Sequence, residues 1–594
     1  MQQDAGNPIE QESSTDSSDL SCPSSVVING ELSHAITPSD YGATGDGVTD
    51  DTAALISWAA SGTAVRKYIP AGVYKCVQEL IFNPGDYVYG DGELSVIDFT
   101  GGIGGALRCV SVSGSLVPLP ALASSVPLST NTLSFVSAPS LVSGEVVLIW
   151  NPTDSSWSTW RPEYHAGEWA RVATVSGNQA TLWGLTYDTY IAASVQLYKL
   201  VGTQSTFRDF QIKQPATNNA GLVIDLIDSP VVFNVLASGG LYADIDVRRC
   251  FDLNMDTRAR QASAPSGNNY GLAVGNCQGG SIRGVYYGTR HSISLGGSPS
   301  VGSVSCRDID IYANYKALDA NINAIDLHGN TEDIRFHGVS GANGLVVAGK
   351  NHKWIGCKAR GRTNAGIAVY MGEVVSGMFE FIGLSVETSV DPNPSGNGIL
   401  SFQNFNANVT GECHFIFTGT SIKCPSTTVF PILFALNGTS ASVNISFKGG
   451  LTFTAAVALT QVLRLRQFGT TGRFGSVCMP EVSGLPSTGC AYAVEVGSPI
   501  VSGYELPRQD GTVNVPVTTS TSLSTSAVSF RHAYPRVPSV RCSTVSPTVG
   551  GKRVVTGHQA DDTAGFVAIV ATTDAAPFTA SATAGVDWSV VLNI

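Results

Sequence analysis

The stretch NAIDLHGNTEDIRFHGVSGANGLVVAGKNHKWIGCKARGRTNAGIAVYMG, residues 323–372, reads as three copies of one unit. NAIDLHG begins at 323, NGLVVAG at 343 and AGIAVYMG at 365, and a second short run follows each: DIRFHGV, HKWIGCKAR and SGMFEFIGL. A unit this short cannot bury an apolar face alone, whereas stacked copies form a continuous ladder. Ile325 and Leu327, Leu345 and Val347, and Ile367 and Val369 would then point inward, on strands about 4.8 Å apart. Asp326 and His328 point outward, as do Arg335 and His337 on the following run. Earlier copies read at AGLVIDLIDSPVVFNVLAS (220–238) and YGLAVGNCQGGSIRGVYYG (270–288). A β-sandwich or barrel also uses many short strands, but small-residue and Asn corners recur after each half-unit and favour a coil. No LxxLxLxxN frame supports leucine-rich repeats.

Composition agrees with an all-β chain. Of 594 residues, 64 are Gly and only 13% are charged, which implies many corners and few salt-bridged helices. A net charge of −12 without a Lys/Arg block speaks against a nucleic-acid surface. Neither a cationic leader ahead of an apolar run nor an unbroken apolar stretch of about 18 residues is present, so no secretory signal or membrane insertion is expected. The 12 Cys are scattered singly, without a CxxC pair. Free buried thiols are expected, with no structural zinc and no cofactor.

Five regions are predicted. Residues 1–36, rich in Ser, Asp, Glu and Gln, read as a flexible N-terminal arm. Residues 37–110 start the coil, with Asp50 as N-cap of a helix over 51–60 whose Ala54, Leu55 and Trp58 share a face. That helix is placed to cover the open end of the strand stack. Residues 111–200 alternate as antiparallel strands and predict an inserted small β subdomain. Its Trp150, Trp157, Trp160, Trp169 and Trp183 suit a sugar-stacking patch, or ordinary packing. Residues 201–500 carry the coil and its groove, and 501–594 a β-sandwich-like terminal domain for trimerisation or binding.

DYGATGDGVTDDTAAL (40–55) followed by YIPAGVY (68–74) resembles the opening motif of the pectate-lyase-like right-handed parallel β-helices. With the β insertion, RHSISLGG (290–297) and AIDLHGN (324–330), the chain resembles bacteriophage tailspike or tail-fibre polysaccharide depolymerases. The resemblance implies a right-handed parallel β-helix, a single-stranded solenoid, with a short capping helix and a C-terminal β domain. It also implies a homotrimer on the virion tail, joined to other tail proteins through the N-terminal arm. Such a protein would bind and cleave host lipopolysaccharide O-antigen or capsule at the outside of the bacterium. The paired motifs RHxxT and DxH of that group are carried by Arg290 and His291 and by Asp326 and His328, with Ser292, Ile293 and Ser294 departing from the usual run. The superfamily includes hydrolases, lyases, epimerases and binders, so the motif specifies fold more closely than reaction.

Glycan hydrolysis needs a proton donor for the leaving oxygen and a base or nucleophile for the anomeric carbon. Laying 325, 345 and 367 over one another puts Thr331, Asn351 and Glu373 in register, with Glu373 two rungs from Glu332 and Asp333. The catalytic assignment is Asp326 and Glu373, with Glu332 as substitute and His328 tuning a pKa or binding a hydroxyl. Carboxylates two rungs apart lie nearer the inverting than the retaining separation. Arg290, His291, Arg335, His337, Tyr287 and Tyr370 are the substrate-binding candidates, with Tyr286, Tyr312 and Tyr315 as further platforms. Asp244, Asp246, Asp252 and Asp256 stand in reserve. An endo-acting glycoside hydrolase is the first expectation. The alternatives are a lyase that β-eliminates a uronic-acid glycan, and a non-catalytic receptor-binding adhesin.

Overall fold

The computed structural model describes residues 25–28, 31–153, 165–260, 269–297, 301–319, 322–374 and 376–405, then shorter stretches ending at 591. It is a right-handed parallel β-helix. One wall is a sheet of 13 parallel strands running from Leu80–Phe82 to Cys490–Glu495. Leu222, Ile245, Leu272, Ile293, Ile325, Leu345, Val369, Leu400, Ile432 and Leu463 succeed one another along one inward column of it. Coil length along this column varies from 20 residues (Ile325 to Leu345) to 32 (Ile293 to Ile325).

The register expected for the third copy is corrected. Val369, not Ile367, lies over Leu345. The turn 361–366 closes on itself, with Gly366 N–H donating to Arg362 O at 2.8 Å, and the coil from Leu345 to Val369 is 24 residues long, two more than laying Ile367 over Leu345 allows.

The coils give a second, bent wall either one longer strand, such as Phe251–Arg260, or two short ones, such as Arg335–His337 and Ser340–Ala342. Gly338, Gly356, Gly383 and Gly419 occupy the bend in successive coils with φ of 58°, 62°, 63° and 60°. A Cβ is strained in that conformation, and glycine adopts it freely. Inside, Phe336, Trp354, Phe381, Phe417 and Phe447 stack in a column, with the last three centroid separations at 4.6, 4.7 and 4.8 Å. Those separations match the spacing of neighbouring strands, so the rings repeat with the backbone.

The helix Thr52–Ala60 covers the first coils, with Leu55, Trp58 and Ala59 fully buried and Trp58 edge-on to Phe82. Asp51 rather than Asp50 precedes it as N-cap. Asp51 spends its carboxylate on the N–H groups of Thr44 and Gly45, fastening the glycine-rich loop onto the helix start. Beneath the helix, Lys67 and Asp86 form a fully buried pair at 2.5 Å, and the Lys67 ammonium also donates to Ala59 O.

Between the strands Arg108–Ser113 and Thr206–Lys213 the chain leaves the coil to form a six-stranded antiparallel sheet. One face of that sheet has its own core, including Leu133, Val147, Ile149 and Val172. The other face packs Trp150 and Trp169 against Leu226 and Val304 of the coil. The described strands beyond 508 form two antiparallel sheets, of three and four strands. Nine described Cys are free, and all but Cys478 are buried. Among the described residues no helix is long and apolar enough to cross a membrane.

Candidate functional site

On the outer face of the 13-stranded wall, alternation places Asp246, Ala273, Ser294 and Asp326 in one column. Asp326 lies beside two imidazoles. Its Oδ2 is 3.1 Å from His328 Nε2 and 3.5 Å from His291 Nε2. Burial disfavours the Asp326 charge, but the His328 hydrogen bond and the positive potential of His291, His328 and Arg290 outweigh it, and its pKa lies below the usual value.

The opposite nitrogen of His291, Nδ1, lies 2.6 Å from Asn323 O. A carbonyl only accepts, so Nδ1 carries the proton and Nε2 faces Asp326 as the site that takes up another. Burial lowers the His291 pKa, with Asp326 opposing the shift. The ring is also stacked on Tyr270, centroids 5.6 Å apart, and the Arg290 guanidinium lies over the same Tyr270 ring, 5.8 Å from its centroid.

Glu373 reaches this place from two coils further along. The backbones are about 9.6 Å apart at two strand spacings. Ala348 and Gly349 on the intervening strand are small, and Glu373 folds back until Gly329 N–H donates to its Oε2 at 3.2 Å. A Cβ on Gly329 would stand 3.0 Å from Glu373 Oε2 and 3.2 Å from its Cβ, so the glycine makes this approach possible. Gly296 does the same for His328, whose Cγ would lie 2.9 Å from an added Cβ.

Next to His328 is an open cavity of about 160 Å³, bounded also by Tyr242, Asp246, Arg248, Tyr270 and Ser294. Asp246 is almost fully buried, which raises its pKa, while the ion pair with Arg248 opposes the shift. Asp246 is three coils from Asp326, about 14 Å, too far to share one bond with it. Among the described residues no group of three or more His, Cys, Asp or Glu is arranged to hold a metal ion.

The structure therefore brings Asp326, His328, Arg290 and His291 together, with Glu373 on the amide of Gly329 next to His328 and Tyr370 in the same outward column two coils beyond Asp326. It does not bring Glu332 there. Glu332 is buried in the second wall, held by Arg307 at 2.5 Å and Lys350 at 2.9 Å. Its neighbour Arg307 is itself fully buried. Arg335 and His337 also lie on the second wall, where both bind Asp310, Arg335 through two nitrogens at 2.9 Å and His337 at 2.6 Å.

Tyr287 belongs to the same wall, paired with Arg260 and Lys316. Tyr286 and Tyr315 point inward and are buried, whereas Tyr312 is outward and stacks on His337 at 4.6 Å. Of the reserve acids, Asp252 and Asp256 are on the second wall. Asp244 is fully buried beside Gln214, and burial raises its pKa well above the ordinary range. Trp150 and Trp169 are packed in the seam between sheet and coil, Trp183 is exposed, and Trp157 and Trp160 lie outside the described residues.

Sequence reading missed Arg248, Tyr242 and Tyr270. The alternation YADIDVRR carries a signal for Arg248, since Asp246 and Arg248 share a face at a spacing of two. Nothing local marks Tyr270, which meets His291 only through the coil register.

Residues 238–476 match the family described as Gp49, pectin lyase-like, and residues 111–200 the family described as tailspike protein-like, Ig-like domain. No curated protein matches the sequence. Among solved structures the chain is similar to the tailspike protein gp49 from Pseudomonas phage LKA1, with 27% identity and a TM-score of 0.87 over 94% of this chain and 100% of that one. It is similar to the tailspike gp61 of Pseudomonas phage phi297, with 22% identity and a TM-score of 0.84 over 94% and 99%. The gp54 tailspike of Acinetobacter baumannii bacteriophage AP22, solved in complex with an A. baumannii capsular saccharide, gives 17% and 0.79 over 94% and 96%.

Proposed function

We propose, for a chain that is a tailspike built on a parallel β-helix, that the outer face of the 13-stranded wall binds a bacterial surface polysaccharide and cleaves it within the chain. The substrate class is the O-antigen or capsule of the host, and the reaction is endo-hydrolysis. One observation carries this reading. Asp326 is kept ionised between His291 and His328, His328 lines an open cavity, and Glu373 folds back from two coils away onto the amide of Gly329 next to His328.

In this scheme Asp326 is the base or nucleophile, because a carboxylate held below its usual pKa is a poor proton donor. Glu373 supplies the proton for the leaving oxygen. His328 fixes the Asp326 carboxylate, and Arg290 and Tyr270 bound the substrate side. The protein would act as a homotrimer at the virion tail, attached to other tail proteins through its N-terminal residues.

A second reading, β-elimination on a uronic-acid glycan, is favoured by one feature of the same site. Arg290, His291 and His328 gather around a single ionised carboxylate. Such a set can neutralise the sugar carboxylate while His291 Nε2 or Asp326 takes the proton next to it. The products distinguish the two. Incubation with purified polysaccharides from a strain panel should release oligosaccharides with new reducing ends and saturated sugars for hydrolysis. Ultraviolet absorbance from an unsaturated uronide would assign elimination, and retention without any fragments would make the protein an adhesin.

A further inference from the structure

A second cavity, of about 390 Å³, opens at the seam between the six-stranded Ig-like sheet and the bent wall of the helix. That volume falls in the range of about 300–1,000 Å³ typical of small-molecule sites. Trp183, Leu185 and Tyr187 bound it from the inserted sheet, and Phe251, Asp252 and Asp308 from the coil. Trp183 is 70% exposed and Leu185 59%, so an indole face stands open to solvent at the cavity rim. An exposed indole over a polar floor suits a sugar ring, whose C–H face stacks while its hydroxyls bond to acceptors. The cation of this cavity, Arg171, is already held by both oxygens of Asp228, at 2.9 and 2.7 Å. With Arg171 held by Asp228 and Asp308 paired in part with Arg335, the lining residues offer carboxylate oxygens and no uncompensated cation, which fits hydroxyl donors and not an anion.

The two cavities flank one turn. Gly275 and Asn276 line the first, Gln278 and Gly279 the second. Four residues of backbone span at most about 14 Å. Trp169 of the inserted sheet holds this turn, its Nε1–H donating to Asn276 O and its backbone N–H to Gln278 Oε1, both at 2.9 Å. The inserted sheet is thus fixed onto the ridge between the cavities, with Trp183 on the far side from Asp326.

We propose that the seam cavity is a distal saccharide subsite, in which a neutral, hydroxyl-rich sugar unit of the same glycan stacks on Trp183. The proposal rests on the reading of the first cavity as part of the glycan groove. The experiment uses the full-length protein and polysaccharide from a host strain that the wild type binds. Trp183→Ala in an Asp326→Asn background should weaken polymer binding by about tenfold, and Trp183→Phe should restore most of it. In the otherwise wild-type protein, Trp183→Ala should raise KM for polymer far more than for fragments too short to cross the turn. Because the indole is exposed, the unfolding temperature should hold. Polymer affinity and KM unchanged by Trp183→Ala, with wild-type binding and cleavage intact, overturn the distal subsite alone. A wild-type protein that binds no polysaccharide of a broad panel overturns the functional reading and the subsite together.

Discussion

Asp326→Asn removes one negative charge and almost no volume. The His328 contact at 3.1 Å survives as an amide contact, whereas His291 and Arg290 lose the charge that their potential stabilises. Asp326 is partly accessible, with 19% of its side chain exposed, so folding should change little. A general base or nucleophile is worth roughly 10²–10⁴ in rate, which is about 2.7–5.4 kcal/mol at 1.36 kcal/mol per tenfold. Turnover at saturating polysaccharide should therefore drop at least about 100-fold. The assay counts new reducing ends, with thermal unfolding of the same preparation as the folding control. The wild-type pH profile supplies an independent check. Because the site holds the Asp326 pKa below the ordinary value, its acid limb should lie below the ordinary carboxylate range. Turnover within about threefold of wild type, in folded protein, would refute the assignment of Asp326.

Three further outcomes are expected. Glu373→Gln should lower turnover by roughly 10²-fold or more with little loss of stability. Glu332→Gln should do the reverse, because it leaves Arg307 and Lys350 short of a buried partner, at a cost of about 3–5 kcal/mol by denaturant titration. Asp86→Asn should destabilise by a similar amount, about 3–5 kcal/mol, since the fully buried Lys67 ammonium loses the counter-ion that offsets its burial and must stay charged unpaired or give up its proton. An unchanged denaturation midpoint would reject that account.

Stability should also depend on Glu168, whose carboxyl is pushed up to about 8 by burial. Its unfolded value is about 4.3, so between the two the folded state keeps a proton that the unfolded chain has released. Stability then falls as pH rises from about 4 to 8. Glu168→Gln should flatten that part of the melting-temperature profile, and an equal slope in both proteins would remove Glu168 as its source.

Period-two alternation and repeated corners in residues 323–372 were enough to determine a stacked parallel coil, because a short half-unit can bury its apolar side only against copies of itself. The same alternation settled that Asp326 and His328 face out, since side-chain direction follows strand parity without reference to neighbours. Register was a tertiary decision. The corner that holds the turn 361–366 carries the coil two residues past the register the strand pattern suggests, which sets Glu373 beside Ala348 and lets it fold back to Gly329. Partners were decided there too. In the sequence Glu332 and Glu373 each come within a few residues after a short apolar run and a glycine, yet one finds Arg307 and Lys350 in the second wall while the other finds the amide of Gly329 next to His328. Long-range packing alone distinguishes them, because burial and charge pairing depend on which coil comes to rest alongside.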